Sequence, residues 1–395
     1  MALLNKNEFH YITGYQDSFY KEVRQDDAMF MIDSFNDVTG FYLVFKDGIC
    51  FKDLCKNHPD VIPTYILDKI KKKHLFLVLN NGHEAFHSAV KQIYKYLIID
   101  SGIPAEQIIL ISESADILDE VVRISTLYNQ PQIKVRWARI FECNVRVQTL
   151  EMLSRQHPKQ KQESITYDKK YICFNRRWRH HRPTLVALLE AHNILDMGYV
   201  SLGDSDQSLT WPQFWPQLQY ILRNNTELTT LIESSKNRIL SLPRLYVDFQ
   251  DLTINRAPME RESDRFYKET YFSVVTETNY FTSIDYSPIV EPGRFFSEKI
   301  FKPVAYCHPF IVASVPRFLE KFRELGYKTF SPWIDESYDI ETDDIIRLDK
   351  IAKEVKRLSE LTPNQVQEFN DNVRDICIYN FGRLLQQQKF VERLN

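Results

Sequence analysis

Most signatures of an exported, membrane-spanning or nucleic-acid-coating protein are missing from this chain of 395 residues. Its six cysteines (Cys50, Cys55, Cys143, Cys173, Cys307, Cys377) form no CxxC pair and no disulfide-like framework. Several lie in apolar stretches, which predicts buried free thiols. No apolar run is long enough to span a bilayer, and the opening MALLNKNEFHYITGY lacks the charged-then-apolar pattern of a signal peptide. The expectation is a cytoplasmic protein with no membrane partner. Net charge is −3, so no global basic field marks an obligate nucleic-acid binder. A local basic face stays open, because the 50 Lys and Arg need not be spread evenly. Glycine is scarce at 10 residues while aromatics reach 13%, so the chain is built from stiff, bulky material. There are no internal repeats and no low-complexity segment.

What is present is an ordinary globular balance, 44% hydrophobic and 26% charged, which excludes extensive disorder. The length suits two domains better than one core. Strands are expected at 28–34, 41–46 and 75–80, then a helix Ala85 to Ile99 closed by Gly102 and Pro104. A buried strand at Ile108 to Ile111, a helix Ala115 to Tyr128 and a strand Val135 to Phe141 follow. The polar stretch 155–164, RQHPKQKQES, predicts a linker. Alternation then restarts with strand Tyr171 to Phe174, helix Pro183 to Asn193, strand Tyr199 to Leu202 and helix Pro212 to Leu222. Further strands are expected at Arg244 to Phe249 and Tyr271 to Thr276. A helix from Ser297, a strand at Phe310, a helix Phe318 to Leu325 and a short strand Lys328 to Phe330 come next. Two last helices, Asp343 to Leu358 and Thr362 to Leu394, show apolar residues at helical spacing. Strands alternating with helices predict mostly parallel α/β sheets covered on both faces. The expected domains are 1–160 and 161–358, with a terminal segment 359–395.

In open α/β sheets ligands sit beyond the carboxyl ends of the strands, and that rule selects the residues to weigh. In EPGRFFSEKIFKPVAYCHPFIVAS (291–314), Ser297 is a good helix N-cap, followed at once by Glu298 and Lys299. A helix start with an added lysine suits a diphosphate, and Glu298 is free to accept bonds from ribose hydroxyls. The same residues also read as a capped helix with a solvated Glu–Lys pair. Pro303 should shorten or kink this helix. Upstream, NRRWRHHR (175–182) crowds four arginines and two histidines into one strand-to-helix turn. Bidentate arginines neutralise a departing diphosphate without a metal. A solvated basic turn or an ion-pair cluster is the plainer alternative. Trp178 and Arg179 in that turn suit a nucleic-acid acceptor, since basic aromatic-bearing surfaces bind such strands. Glu277 ends a strand in TET and is placed for a ribose or sugar, or else for an ordinary polar turn.

Three further patterns weigh on the chemistry. His83-Glu84-Ala-Phe-His87 matches HExxH, the zinc-hydrolase spacing, but follows NNG at a strand's end and has no evident third ligand. Its position is the better use of it, because Glu84 and His83, like Asp33, end strands, where a carboxylate or imidazole can serve as a general base. Glu84 is the first choice and Asp33 the second; a helix-start acid and a turn aspartate are the alternatives. Asp204-Ser-Asp206 is a DxD in a turn, where aspartate is expected anyway. The lysine runs 71–73 and 159–161 read as solvated faces.

FFSEKIFKP, HPFIVAS, FLEKFRELGYKTFSPWIDESYD, YICFNRRWRHHRPTLVALLE and YFSVVTET, in this order-preserving set over about Tyr171 to Leu358, resemble a glycosyltransferase family of tailed phages and giant viruses. Its nucleotide-binding half is similar in style to that of fucosyltransferases. The resemblance implies the GT-B plan, two Rossmann-like domains facing across a cleft, with a C-terminal helix returning to the first domain. It implies a nucleotide diphosphate sugar as donor, a UDP-sugar being the working guess, with no cofactor and no metal required. Arg176, Arg177 and Arg182 are the arginines it supports most, alongside Ser297, Glu298, Lys299 and Glu277 on the donor side. Glu291 and Glu298 nearly match the paired acids of retaining enzymes, one residue short, which leaves inversion and retention both open. Expected acceptors are a hydroxymethylated pyrimidine in double-stranded phage DNA, slightly favoured, or a glycan or virion carbohydrate. The protein is expected as a monomer or homodimer. A zinc-dependent hydrolase and a non-catalytic nucleotide-sugar binder are the other classes to test.

Overall fold

In the computed structural model, the described residues are 10–13, 41–45, 62, 64–81, 88–155, 167–175, 177–203, 210–243, 245, 264–282, 293–386 and 391–394. The chain divides into two compact units. The first is Met1–Ile140 with Glu291–Phe295 and Gln388–Asn395, and the second is Phe141–Val290 with Phe296–Gln387.

In the first unit, β1 (His10–Thr13), β2 (Phe41–Phe45), β3 (Phe76–Asn81), β4 (Ile108–Ser112) and β5 (Lys134–Ala138) lie side by side in sequence order, all parallel. Parallel strands covered on both faces read as continuous apolar runs, and every residue of β4, IILIS, is buried. Helices Thr64–Lys71 and Ile117–Leu127 and the stretch Ser88–Asp100, helical and then π-helical, supply the cover. Ile70, Leu77, Leu97, Leu110, Val121 and Val135 meet in the core. Tyr94 ties the far end of this layer, its hydroxyl donating to Pro131 O at 3.0 Å and accepting from Ile133 N at 3.1 Å.

The second unit holds β6 (Tyr171–Asn175), β7 (Gly198–Leu202), β8 (Phe272–Thr276) and β9 (Phe310–Ala313), all parallel in the order β7-β6-β8-β9. After β6 the chain turns through helix His181–Ala191 to β7 on one side, while β8 pairs on the other. Strand order therefore reverses between β6 and β8, the place where open sheets leave a crevice at their carboxyl edge. Helix Glu298–Ala305 connects β8 to β9, and helix Asp344–Ser359 packs on β9 and on helix His181–Ala191. The last strand, β10 (Val391–Arg393), belongs to the first unit and pairs antiparallel with β5.

Mixed α/β architecture with parallel sheets agrees with the sequence, and several element boundaries differ. The expected strand to Phe141 stops at Ala138, and Ile140–Arg155 is a helix that sequence periodicity did not reveal. Its apolar residues lie all round it, Val145 buried but Val147, Leu150 and Leu153 exposed, so no stripe forms. Helices Thr226–Ser234 and Lys236–Leu240 were likewise not anticipated. Lys328 to Phe330 is not a strand. Asn380 captures the backbone of Lys328 on both sides at 2.8 Å, and Glu336 takes the Phe330 N–H at 2.6 Å, so those groups are spent on side chains. The terminal helix runs Pro363–Leu385 rather than to Leu394 and stays with the second unit, packed on helix Glu298–Ala305. What joins the first sheet is β10, whose pairing with β5 requires extended backbone. Most of the expected linker 155–164 and the strands at 28–34 and 244–249 lie outside the described residues.

Two glycines make opposite predictions. A Cβ on Gly198 at the start of β7 would sit 2.4 Å from the Tyr171 ring, which is itself anchored by its hydroxyl to Ile194 O at 3.0 Å. Gly198→Ala should lose about 1–3 kcal/mol to overpacking. Gly382, exposed in the terminal helix with nothing near its Cβ position, should gain roughly 0.5–1 kcal/mol as alanine. Urea denaturation of both variants measures the difference.

Candidate functional site

The carboxyl ends of β6 and β8 are stitched together at the order reversal. Asn175, the last residue of β6, accepts from the Thr276 hydroxyl at 2.6 Å and donates to Ser201 O on β7 at 3.0 Å. One side chain thus fixes three strand ends. The basic turn then rises into helix His181–Ala191, and its first two residues point back to the sheet. The buried Arg182 guanidinium donates to Arg177 O at 3.0 Å, Thr276 O at 3.1 Å and Glu277 O at 3.3 Å. The His181 ring meets the Glu277 carbonyl at 3.1 Å, so Nε2 carries the proton, and it stacks on Tyr280 with centroids 5.1 Å apart. Burial, with the charge of Arg179 close by, pulls Arg182 down to about 10, opposed by the Glu277 and Glu298 carboxylates. It stays a cation at neutral pH.

With its backbone held, Glu277 turns its carboxylate inward, fully buried. Oε1 accepts from Ser297 N at 3.2 Å, and Oε2 accepts from the Ser297 hydroxyl at 2.6 Å and Thr278 N at 3.3 Å. Burial pushes its pKa up, while the Lys299 ammonium, 3.9 Å from Oε2, and the Ser297 donors pull it back. Ser297 caps helix Glu298–Ala305 as expected, accepting from Lys299 N at 3.3 Å. Because that cap occupies the helix start, what the helix offers outward is two side chains. Glu298 and Lys299 pair at 3.3 Å with 29% and 25% of their side chains exposed. Burial alone would raise Glu298, but Lys299 and Lys302 together hold it below the ordinary carboxylate value. Pro303 permits only a short helix ending at Ala305, and Cys307 turns the chain with φ 52° toward β9.

The residues proposed from sequence thus divide. Arg182, Glu277, Ser297, Glu298 and Lys299 come together in one connected cluster. Within it, Arg182, Glu277 and Ser297 are buried and spend their polar atoms on the protein, so they are placed to support a ligand site rather than to touch a ligand. Of the buried side-chain N and O atoms of these three residues, only Arg182 Nε lacks a hydrogen-bond partner among the described residues. Arg177 is exposed on the turn. Trp178 packs edge-on to Phe214 and tilted on Trp211, at 5.5 and 5.4 Å between centroids, as part of an aromatic cluster with helix Trp211–Leu222. Arg179 is half-buried, and its charge bears on Arg182 and His181. Asp33, His83, Glu84, His87, Arg176, Asp204, Asp206 and Glu291 lie outside the described residues. Among the described residues no group of three or more His, Cys, Asp or Glu is placed to hold a metal.

Sequence reasoning missed three contributors. Asn175 and His181 sit in NRRWRHHR, where the four arginines are the stronger signal. Arg347 is the larger omission. It lies buried within helix Asp344–Ser359, reaching Ser314 O at 3.0 Å, Glu341 O at 2.9 Å and Tyr280 O at 2.8 Å, and pairing with Asp344 at 2.6 Å. Asp344 in turn accepts from the Thr282 N–H at 2.9 Å and hydroxyl at 3.0 Å. The pair pins the segment after β8 to the residue after β9. An Asp and an Arg three apart on a helix look like a surface ion pair, so nothing in the sequence marked them.

Two outcomes test this arrangement. Arg182→Met should cost about 2–4 kcal/mol, because buried carbonyls of Arg177, Thr276 and Glu277 lose their donor; urea denaturation checks it. Buried histidines supply the second. His308 accepts from Ser273 at 2.7 Å and donates to Thr270 O at 2.9 Å as a neutral ring, and burial draws it down to about 4. His181 is depressed too, by burial and then by the charges of Arg182 and Arg179. The unfolded chain binds protons that these rings refuse when folded. Stability is therefore full above the ordinary histidine value and falls as pH drops through about 4 for His308. His308→Gln should flatten that acid limb by up to about 1.4 kcal/mol per pH unit, read from urea midpoints across pH.

Comparison with known proteins adds little. No protein-family profile and no curated protein matches the chain. Among solved structures it is similar to the N-terminal domain of Candida albicans trehalose-6-phosphate phosphatase at 10% identity, over 95% of this chain and 75% of that one, with a TM-score of 0.39. An overlap that loose carries no argument about chemistry.

Proposed function

We propose that the chain is a glycosyltransferase of the GT-B plan, with the second unit binding a nucleoside diphosphate sugar. The observation that carries this reading is the partly exposed Glu298–Lys299 pair on a short helix at the carboxyl edge of a parallel sheet, in the segment that follows β8. Lys299 and the exposed turn arginine Arg177, with Arg176, would neutralise the diphosphate as the sugar bond breaks. Glu298, held ionised, would accept from ribose hydroxyls. Arg182, Glu277 and Ser297 would hold these groups in place from below. The general base is assigned from sequence to Glu84, with Asp33 and His83 behind it, on the acceptor side. Charge neutralisation comes from side chains here, so the scheme calls for no cofactor. The acceptor favoured is a hydroxymethylated pyrimidine in DNA, and a glycan is the alternative; binding that weakens steeply with salt would mark the former.

A thermal-shift panel of UDP-, GDP-, ADP- and CDP-sugars tests the reading. A ligand present at about 100 times its Kd stabilises the folded state by about 2.7 kcal/mol, a readable rise in Tm. At least one donor should produce it, and Lys299→Ala should weaken that donor about 10- to 100-fold, the scale of one charge-assisted hydrogen bond. A panel in which no nucleotide sugar moves the Tm removes the assignment. A rise with zinc instead would favour the hydrolase pattern at 83–87.

A further inference from the structure

Glu277 and Lys299 are linked by hydrogen bonds that run in one direction only. A serine hydroxyl has one proton to donate and two lone pairs to accept with. Ser297 uses all three, donating to Glu277 Oε2 at 2.6 Å and accepting from Lys299 N at 3.3 Å and Lys299 Nζ at 2.8 Å. The direction is set by Glu277, whose two oxygens face only donors, Ser297 N, Thr278 N and the Ser297 hydroxyl. It takes the hydroxyl proton and so leaves both lone pairs for Lys299. The ammonium is then held by Ser297 and Glu298, with the Glu277 carboxylate 3.9 Å away.

We infer that Glu277 is a positioning residue for Lys299, fixing through Ser297 where the ammonium points and adding the buried negative charge that keeps it there. The inference rests on reading Lys299 as the diphosphate-binding cation. Glu277 itself is fully buried, so its action on a ligand would run through Lys299. Its own place is fixed from the other side of the strand reversal, by Arg182 and His181 on its carbonyl. The turn motif NRRWRHHR and the SEK motif are thereby one device: the turn sets the Glu277 backbone, and Glu277 sets the lysine.

An amide at 277 would break the direction while keeping the shape. In Glu277→Gln one oxygen is left for three donors, Ser297 N, the Ser297 hydroxyl and Thr278 N. An N–H₂ facing the Ser297 hydroxyl takes a lone pair from the ammonium, and in either orientation of the amide the negative charge beside Lys299 is gone. Trace labelling of lysines with acetic anhydride, read by mass spectrometry below the Tm of both proteins, follows this without reference to activity. Lys299 should be labelled about threefold faster or more in Glu277→Gln, the scale of one lost hydrogen bond. Lys302, on the same helix, should not change, which separates lost positioning from general loosening. Ser297→Ala should speed Lys299 labelling similarly, and combining the two substitutions should add little, since both cut one chain.

Affinity for UDP and GDP, measured by calorimetry on the same proteins, divides the outcomes. Faster Lys299 labelling with weaker nucleotide binding supports both the positioning role and the proposed function. Faster labelling in a protein whose wild type binds neither nucleotide supports the positioning role and removes the donor reading. Unchanged Lys299 labelling in Glu277→Gln, or equal acceleration at Lys302, overturns the inference.

Discussion

A carboxylate buried to full exclusion of water is the constraint around which the second unit is arranged. Left unpaired, a buried ionised group is so costly that it would neutralise instead. Glu277 is kept in place by three donors on its two oxygens and by Lys299 beside them. Its backbone carbonyl is held in turn by Arg182 and His181, which reach it because β6 and β8 are neighbours and helix His181–Ala191 starts beside their ends. The strand order β7-β6-β8-β9 is thus what brings residues about a hundred positions apart within hydrogen-bond reach, as in the Thr276–Asn175 contact.

Such networks are poor investments in stability alone. Apolar residues of similar volume often do as well or better in place of buried ions, whereas losing one member of a satisfied set is strongly unfavourable. Arg182, His181 and Glu277 therefore argue for geometry as the reason they are there. The Arg347–Asp344 pair repeats the pattern a few residues further along. One guanidinium gathers carbonyls from Tyr280, Ser314 and Glu341, so the loops after β8 and β9 cannot drift independently. Loops carrying a ligand site need this kind of anchoring, because precision at a partly exposed pair such as Glu298–Lys299 comes from the groups packed beneath it.

Much of this was legible before any coordinates. The strands β3, β4, β6, β8 and β9 announce themselves as continuous apolar runs, and Ser297 reads as an N-cap from its place before Glu298 and Lys299. The contents of the cluster are also readable, in NRRWRHHR, TET and SEK. Their division of labour is not. Sequence puts Arg182 and Glu277 on the ligand, yet burial turns both inward. Whether an arginine faces water or three carbonyls depends on which strand lies opposite, and that is a long-range fact. Helix Ile140–Arg155 was hidden for the opposite reason, since its apolar residues carry no stripe for periodicity to find. At the chain's end, periodicity carried a helix through to Leu394, but backbone pairing with β5 claims Val391–Arg393 for the sheet.

Spacing along the chain also explains why the SEK motif says little by itself. Any capped helix start can carry an acid and a lysine, and most such pairs are solvated and worth little. What distinguishes this one is a residue 20 positions earlier, Glu277, whose carboxylate takes both the backbone N–H and the hydroxyl of the cap. A serine that caps a helix with one lone pair ordinarily leaves its proton to water. Here the proton goes to a buried carboxylate and the remaining lone pair to an ammonium, so the cap conveys charge from the strand end to the helix start. The short helix with Pro303 inside it follows from the same need. It has to present one turn accurately and then return the chain to β9, and a longer helix would add nothing to that.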